Sequence, residues 1–400
     1  MSLSTDQRSL VLGLLSGSAL TLLTTGFFYY VTRTPLQDES AVSKAPGIVD
    51  GVDGLIGNTP LVKIRSLSEA TGCTILGKAE FLNPGGSSKD RVALNMIKSA
   101  EAAGILKPHT GSTIFEGTSG STGISIAMIA RARGYKAWIV MPDDAAKEKY
   151  ELIEKLGATV EKVRPVSIID KSQYVNRARE RALTFAEGEA RGYFGDQFEN
   201  EANFQVHYES TGPELYQQTH GKIDALVLGS GTGGTISGLT CYLKERVPFL
   251  KVFLADPPGS GLYNKIKYNT MYAPTEREGT RRRHQVDTVV EGIGLNRLTK
   301  NFDTGRRLVD DAFRVTDEES VKMSRYLVRE DGLFIGSSSA VNCVAVVRAA
   351  RQLGPGHVIV TTLTDSGQRH LTKFWSDEYL KSEGIPHELG AEETLDDFIQ

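Results

Sequence analysis

Cysteine is scarce in this chain. Cys73, Cys241 and Cys343 are odd in number, far apart and without metal-ligand spacing. They do not suit a disulfide framework or a metal site, and a reducing compartment fits them better. Neither sign of charge prevails: 46 basic and 49 acidic residues leave a formal −3, with no electrostatic footprint for nucleic acid. There is no repeat of solenoid period, and no glycine-rich turn ends in G-K-[ST], which excludes a P-loop. Uncharged runs of more than 20 residues are missing too, with one exception.

That exception is "SLVLGLLSGSALTLLTTGFFYYVT", the 24 residues between Arg8 and Arg33. At about 1.5 Å per residue it is long enough to cross a bilayer of about 30 Å. Phe27, Phe28, Tyr29 and Tyr30 sit at one end, where an interfacial belt would lie. The run is long for the apolar region of a signal peptide, and no compact A-x-A site follows it. Residues 1–32 therefore read as an N-terminal transmembrane anchor, with 9–32 as the span. Its moderate hydrophobicity and weak basic flanks look like the signal anchors of mitochondrial outer-membrane proteins, with the remaining chain facing the cytosol. Residues 33–47, rich in Pro, Ser and mixed charge, read as a flexible linker.

What is present is a globular enzyme's composition: 40% apolar, 24% charged, with 41 glycines. Four hundred residues exceed what one core usually organises, so two domains are expected. From 48 to about 375 short β-rich runs alternate with helical patterns: "STIFEG" precedes "GISIAMIARARG", "KAWIVMP" precedes "AAKEKYELIEKLG", and "DALVLGS" precedes "TISGLTCYLKERV". Such units imply largely parallel sheets covered on both faces. Residues 264–284, ending in three arginines, read as a solvated surface loop, and 381–400 as an acidic, solvent-exposed tail.

Three glycine-rich turns join a strand to a helix. In "FLNPGGSSKDRVALNMIKSAE", Ser87 and Asp90 have capping-box spacing, and Val92, Met96, Ala100 and Ala103 form one helical face. Lys89 then lies in the first turn, where the helix dipole lowers its pKa and suits it to Schiff-base chemistry. An ordinary exposed lysine is the plainer reading of the residue alone. The second turn, "EGTSGSTG" (116–123), places hydroxyls and backbone N–H groups around a helix start, a nest for a carboxylate or phosphate. The third, "GSGTGGTISG" (229–238), formally matches G-x-G-x-x-G, with Asp256 at the end of the next strand. Thr232 and Thr235 suit a single terminal phosphate better than a dinucleotide. A serine cluster in "GLFIGSSSA" (332–340) begins a further helical pattern and is equally readable as a cap.

Taken together these turns resemble the fold type II pyridoxal-phosphate enzymes, and among them the cysteine synthase (O-acetylserine sulfhydrylase) and cystathionine β-synthase family. "IGNTPLVKI", "NPGGSSKDR", "EGTSGSTGISIA", "QFENEANFQVHYESTGPE", "GTGGT", "VEGIG" and "TDSGQRHL" follow the family's blocks in order, over roughly 48–375. The resemblance implies a tryptophan synthase β-like fold of two three-layer α/β/α domains. The larger would comprise 48–86 and 191–380, and the smaller, mobile and substrate-binding one 87–190. Lys89 would hold pyridoxal 5'-phosphate as a Schiff base and then act on the substrate Cα proton. Gly231, Thr232, Gly233, Gly234 and Thr235 would cup the phosphate, and Ser338 would face the pyridine nitrogen. Thr118, Ser119, Gly120, Thr122 and Gln197 would bind the substrate carboxylate. One position departs: Ser121 stands where the family usually has an asparagine that touches the cofactor's 3-oxygen. Serine there is similar to a divergent, membrane-anchored fungal group.

The reaction implied is β-replacement, joining sulfide to O-acetyl-L-serine to give L-cysteine. Other β-eliminations or replacements (cysteine desulfhydration, cystathionine synthesis, serine dehydration) remain as alternatives, as does a catalytically weak membrane-anchored scaffold. A homodimer is the family expectation. A serine acetyltransferase partner is allowed by the family but selected by no residue here.

Overall fold

The computed structural model describes residues 47–187, 190–272 and 288–399. The body is built on two sheets. The first has the order β1-β2-β11-β8-β9-β10, with strands Leu61–Lys63, Thr74–Ala79, Val358–Leu363, Ala225–Gly229, Lys251–Asp256 and Asp311–Arg314. The second has the order β5-β4-β3-β7-β6, from Thr159–Val163, Lys136–Pro142, Thr113–Gly117, Ala190–Phe194 and Ala186–Glu187. Pairing is parallel throughout except at two edges, where β1 runs against β2 and β6 against β7.

The strands explain why the sequence alternates runs rather than single residues. β3 is buried along its whole length, and so is β8 up to its last residue. A strand covered on both faces has no wet side to mark by alternation. The same holds for the helix Ser337–Leu353, whose residues from Ser337 to Val347 are all buried. It packs on β11, β8 and β9 on one side and on the helix Asp317–Asp331 on the other. Each fully buried Val, Leu or Ile there contributes roughly 1.5–3 kcal/mol of transfer free energy. The structure is therefore the expected α/β arrangement of three-layer units around largely parallel sheets.

Four local expectations change. The capping box at Ser87 and Asp90 does not form: Ser87 Oγ accepts from the Lys89 N–H at 3.3 Å, and Asp90 turns back to the Gly85 N–H at 2.6 Å and the Ser125 hydroxyl at 2.6 Å. A helix in another segment, Ser121–Ala132, supplies the partner that competes for Asp90. On that helical face Val92, Met96 and Ala100 are buried as expected, while Ala103 is exposed beyond the helix end. The stretch read as a surface loop begins with a helix, Leu262–Tyr268, and its part from 273 onward lies outside the described residues. The acidic end is docked: Leu395, Phe398 and Ile399 are buried against the main core, with Phe398 beside Tyr326. Its acids alternate with apolar residues that the core can take. The proposed span 9–32 and the linker up to 46 lie outside the described residues; among those described, no helix is long and apolar enough to cross a membrane.

Candidate active site

A cleft opens where the chain leaves β3, β8 and β11, at the C-terminal ends of parallel strands. Ligands in open α/β sheets are bound at such ends. Lys89, Thr118, Ser119, Ser121, Thr122, Gln197, Gly231, Thr232, Gly233, Thr235 and Ser338 all line it, so one cleft gathers residues spread over 250 positions of sequence. Gly120 and Gly234 do not line it and act on shape from behind.

Lys89 begins the helix Lys89–Ala102 and points its amine into the cleft. The amine makes no ion pair or hydrogen bond among the described residues. Burial lowers its pKa below the ordinary lysine value, with Asp365 and Glu80 offsetting part of that and Arg369 adding to it. An amine made less basic and left unpartnered is chemically available.

The 118–122 loop is bound to the block around Gln197. Thr122 donates to Gln197 Oε1 at 2.5 Å, and Gln197 Nε2 donates to the Gly117 carbonyl at 3.2 Å. Gly120 has φ +146°, and a Cβ there would stand 2.4 Å from Lys149 Cδ, so only glycine fits. Behind the loop lies Glu116, fully buried at the end of β3. Burial first, and then the charge of Asp196, push its carboxyl up to about 8.

The glycine-rich turn after β8 forms a cup at the N-terminus of the helix Gly234–Lys244. A Cβ on Gly231 would meet the Gly292 carbonyl oxygen at 2.1 Å. Asn203 Nδ2 donates to Thr232 Oγ1 and to the Gln197 carbonyl, each at 2.8 Å, and so links the cup to the 197 block. Thr235 Oγ1 lies 3.1 Å from His207 Nε2, whose other ring nitrogen lies 3.0 Å from Thr211 Oγ1. Burial pushes His207 down to about 3, so a neutral imidazole holds this hydroxyl. Asp256 is not a ribose ligand: it is buried and accepts from the Tyr263 N–H at 2.7 Å, which removes the dinucleotide reading.

In the serine cluster, Ser337 Oγ accepts from the Glu291 N–H and Ser339 Oγ from the Thr364 N–H. The Ser338 hydroxyl between them makes no hydrogen bond among the described residues, and Ser338 lines the cleft. A lysine without a partner, a cup that admits no Cβ at a helix start, and a neutral hydroxyl lining the same cleft fit pyridoxal phosphate. These would hold its aldehyde carbon, its phosphate and its ring nitrogen in turn.

Other polar groups of the cleft were not singled out from sequence. Glu291 pairs with Lys149 and lies 3.5 Å from His370 Nδ1, while His370 Nε2 lies 3.0 Å from Asp365 Oδ2. Burial opposes charge on both Glu291 and His370. Lys149 and His370 outweigh it for Glu291, whose carboxyl sits below the usual range, and Asp365 does so for His370, which sits above its own. The blocks "VEGIG" and "TDSGQRHL" carry three of these residues, but nothing local says that they meet.

Comparison with known proteins follows the same line. The family described as pyridoxal-phosphate dependent enzyme matches residues 52–365. Cysteine synthase 2 of Emericella nidulans is 60% identical over 344 residues, covering 83% of this chain and 80% of the relative. A Saccharomyces cerevisiae relative, named with the words mitochondrial cysteine synthase, is 54% identical over 349 residues, covering 86% and 88%. The crystal structure of O-ureido-L-serine synthase superposes with a TM-score of 0.71 at 29% identity, covering 84% of this chain and 99% of the other.

Proposed function

This chain belongs to the pyridoxal-phosphate-dependent enzymes, and from that premise we propose that it is a cysteine synthase joining sulfide to the skeleton of O-acetyl-L-serine. The observation that carries the reading is the Lys89 amine, unpartnered and of lowered basicity, in one cleft with Gly231, Thr232, Gly233 and Thr235. When bound, pyridoxal phosphate supplies an electron sink conjugated to the substrate's amino group.

The chain's own residues do the rest. Gly231, Thr232, Gly233 and Thr235 would hold a phosphate with backbone N–H groups, hydroxyls and the helix dipole, with Gly234 shaping the turn from behind. Thr118, Ser119, Thr122 and Gln197 take the substrate carboxylate, and Gly120 gives the loop its turn. Lys89, once free, receives the Cα proton at Nζ. Ser338 offers the ring nitrogen a neutral partner, which does not force it to be protonated and favours loss of a β-substituent over a long-lived carbanion. Ser121, which lines the same cleft, would meet the ring oxygen. The intact Lys89, cup and Ser338 argue against a catalytically weak scaffold.

The test is an absorbance titration of the protein loaded with pyridoxal phosphate, wild type against Lys89→Ala. A visible band present in wild type and lost in the variant supports Lys89 as the anchor. A change of that band on adding O-acetyl-L-serine, reversed by sulfide with release of cysteine, supports the reaction. A normal band that ignores O-acetyl-L-serine would point to another β-substrate.

Residues 9–32 are proposed as the anchor, in the mitochondrial outer membrane with the body facing the cytosol. The support is the uncharged run itself and the relative named above. Carbonate extraction of mitochondria tests it: release into the supernatant would overturn the anchor. A homodimer is proposed with it, and light scattering at the monomer mass would refute that.

A further inference from the structure

Arg369 is a buried cation with little to balance it. Its Nη1 donates to Ser121 Oγ at 3.3 Å, and its Nη2 is buried without a hydrogen-bond partner. No carboxylate lies within 4 Å of the guanidinium among the described residues. Two acids act on it only through charge at longer range: Asp90, whose oxygens are taken by the Gly85 N–H and Ser125, and Asp365, whose Oδ2 faces His370. Room for it exists because residue 86 is a glycine at φ +81°, where a Cβ would stand 3.3 Å from Nε and Nη2. A buried charge without a partner is costly and calls for an anion nearby.

The hydroxyl in front of it is oriented by this contact. Ser121 Oγ accepts from Arg369, and no acceptor among the described residues takes its own proton. A hydroxyl has one proton to give. With its oxygen turned towards the guanidinium, that proton is left for the cleft, which Ser121 lines together with Lys89 and Ser338.

We propose that Arg369 is a positioning residue that acts through Ser121. It turns the hydroxyl outward and polarises it, so that a short side chain serves the phenolic oxygen of the cofactor where the family pattern has an amide. The inference rests on the cofactor reading given above. It adds that Ser121 and Arg369 form one unit, 248 positions apart in sequence. Charge on the donor's far side strengthens a hydrogen bond to an oxyanion. Arg369 therefore favours the ionised ring oxygen.

The cofactor held by lysine absorbs in the visible when its ring oxygen is ionised, and in the near ultraviolet when that oxygen keeps its proton. The experiment records both bands in the loaded full chain for wild type, Arg369→Met, Arg369→Lys, Ser121→Ala, Ser121→Asn and the doubles with Arg369→Met. Arg369→Met and Ser121→Ala are each expected to lower the visible-to-ultraviolet ratio by roughly tenfold, as the loss of one charge-assisted hydrogen bond would. Their double should fall no further, Arg369→Lys should restore part, and Ser121→Asn should become insensitive to loss of Arg369.

Arg369→Met with the wild-type ratio, or with an equal fall whether or not Ser121 keeps its hydroxyl, would overturn the proposal. If Arg369→Met does not fold, a wild-type ratio in Ser121→Ala or an unrescued one in Arg369→Lys does so instead. A wild type that takes up no pyridoxal phosphate would sink the cofactor reading as well. A normal wild-type band with insensitive variants sinks only this unit.

Discussion

Thr122 donates to Gln197 Oε1 at 2.5 Å, joining two loops that lie 75 positions apart in the chain. Gln197 in turn spends its amide on the Gly117 carbonyl, so two hydrogen bonds tie the 117–122 stretch to the 197 block. On the function proposed above, these groups would take the substrate carboxylate. Gln197→Ala is expected to raise KM for the amino-acid substrate about 10- to 100-fold, the worth of one or two hydrogen bonds to a charged group, with a smaller change in kcat. Steady-state kinetics at saturating sulfide would check it; an unchanged KM would remove Gln197 from the substrate site.

Glu116 makes folding pH-dependent in a stated direction. Its carboxyl is pushed up to about 8 in the folded chain, against 4.5 for an ordinary glutamate. A raised carboxyl pKa means that the folded state keeps a proton the unfolded state gives up. Stability from this group is whole below pH 4.5, falls progressively as pH rises, and levels off above about 8. The loss amounts to roughly a few kcal/mol. Urea midpoints between pH 6 and 9 should fall in wild type and much less in Glu116→Gln.

Arg91 is held between Glu80, bonded at 2.8 and 2.9 Å, and Glu214, bonded at 2.6 and 2.8 Å, with Lys78 beside them. Burial raises the cost of every charge here, yet Arg91 and Lys78 hold Glu214 down to about 2. Arg91→Met would leave two carboxylates facing one lysine. It is expected to cost about 3–5 kcal/mol, read from chemical denaturation. A loss under about 1 kcal/mol would show that the acids find other partners.

Gly231 meets the Gly292 carbonyl oxygen so closely that any Cβ must move backbone. Gly231→Ala is expected to weaken pyridoxal phosphate binding at least tenfold in equilibrium dialysis, an order-of-magnitude effect of a misplaced cup. Thermal stability without the cofactor should change less than affinity does. Equal affinity would mean that the cup lies elsewhere.

Much of the site was legible because its parts are local. A strand followed by glycines, a hydroxyl and a helix start is written in adjacent residues, since only glycine accepts φ +92° at residue 233 or the close approach at 231. Lys89, the 231–235 turn and Ser338 could be picked out this way as candidates, and the structure places them around one cleft. The misread capping box at Ser87 marks the limit, because Ser125 from another helix competes for Asp90.

What the chain alone determined, then, is the order of its strands and helices, the turns between them and the chemistry each turn can offer. Only the tertiary structure decided which turns share a cleft and which charges stand behind them. Ser121 gained Arg369, His370 gained Asp365 and Glu291, and Glu116 gained Asp196. Turn chemistry depends on torsion angles that neighbouring residues set, whereas a buried charge depends on partners that parallel strands bring together from distant parts of the sequence.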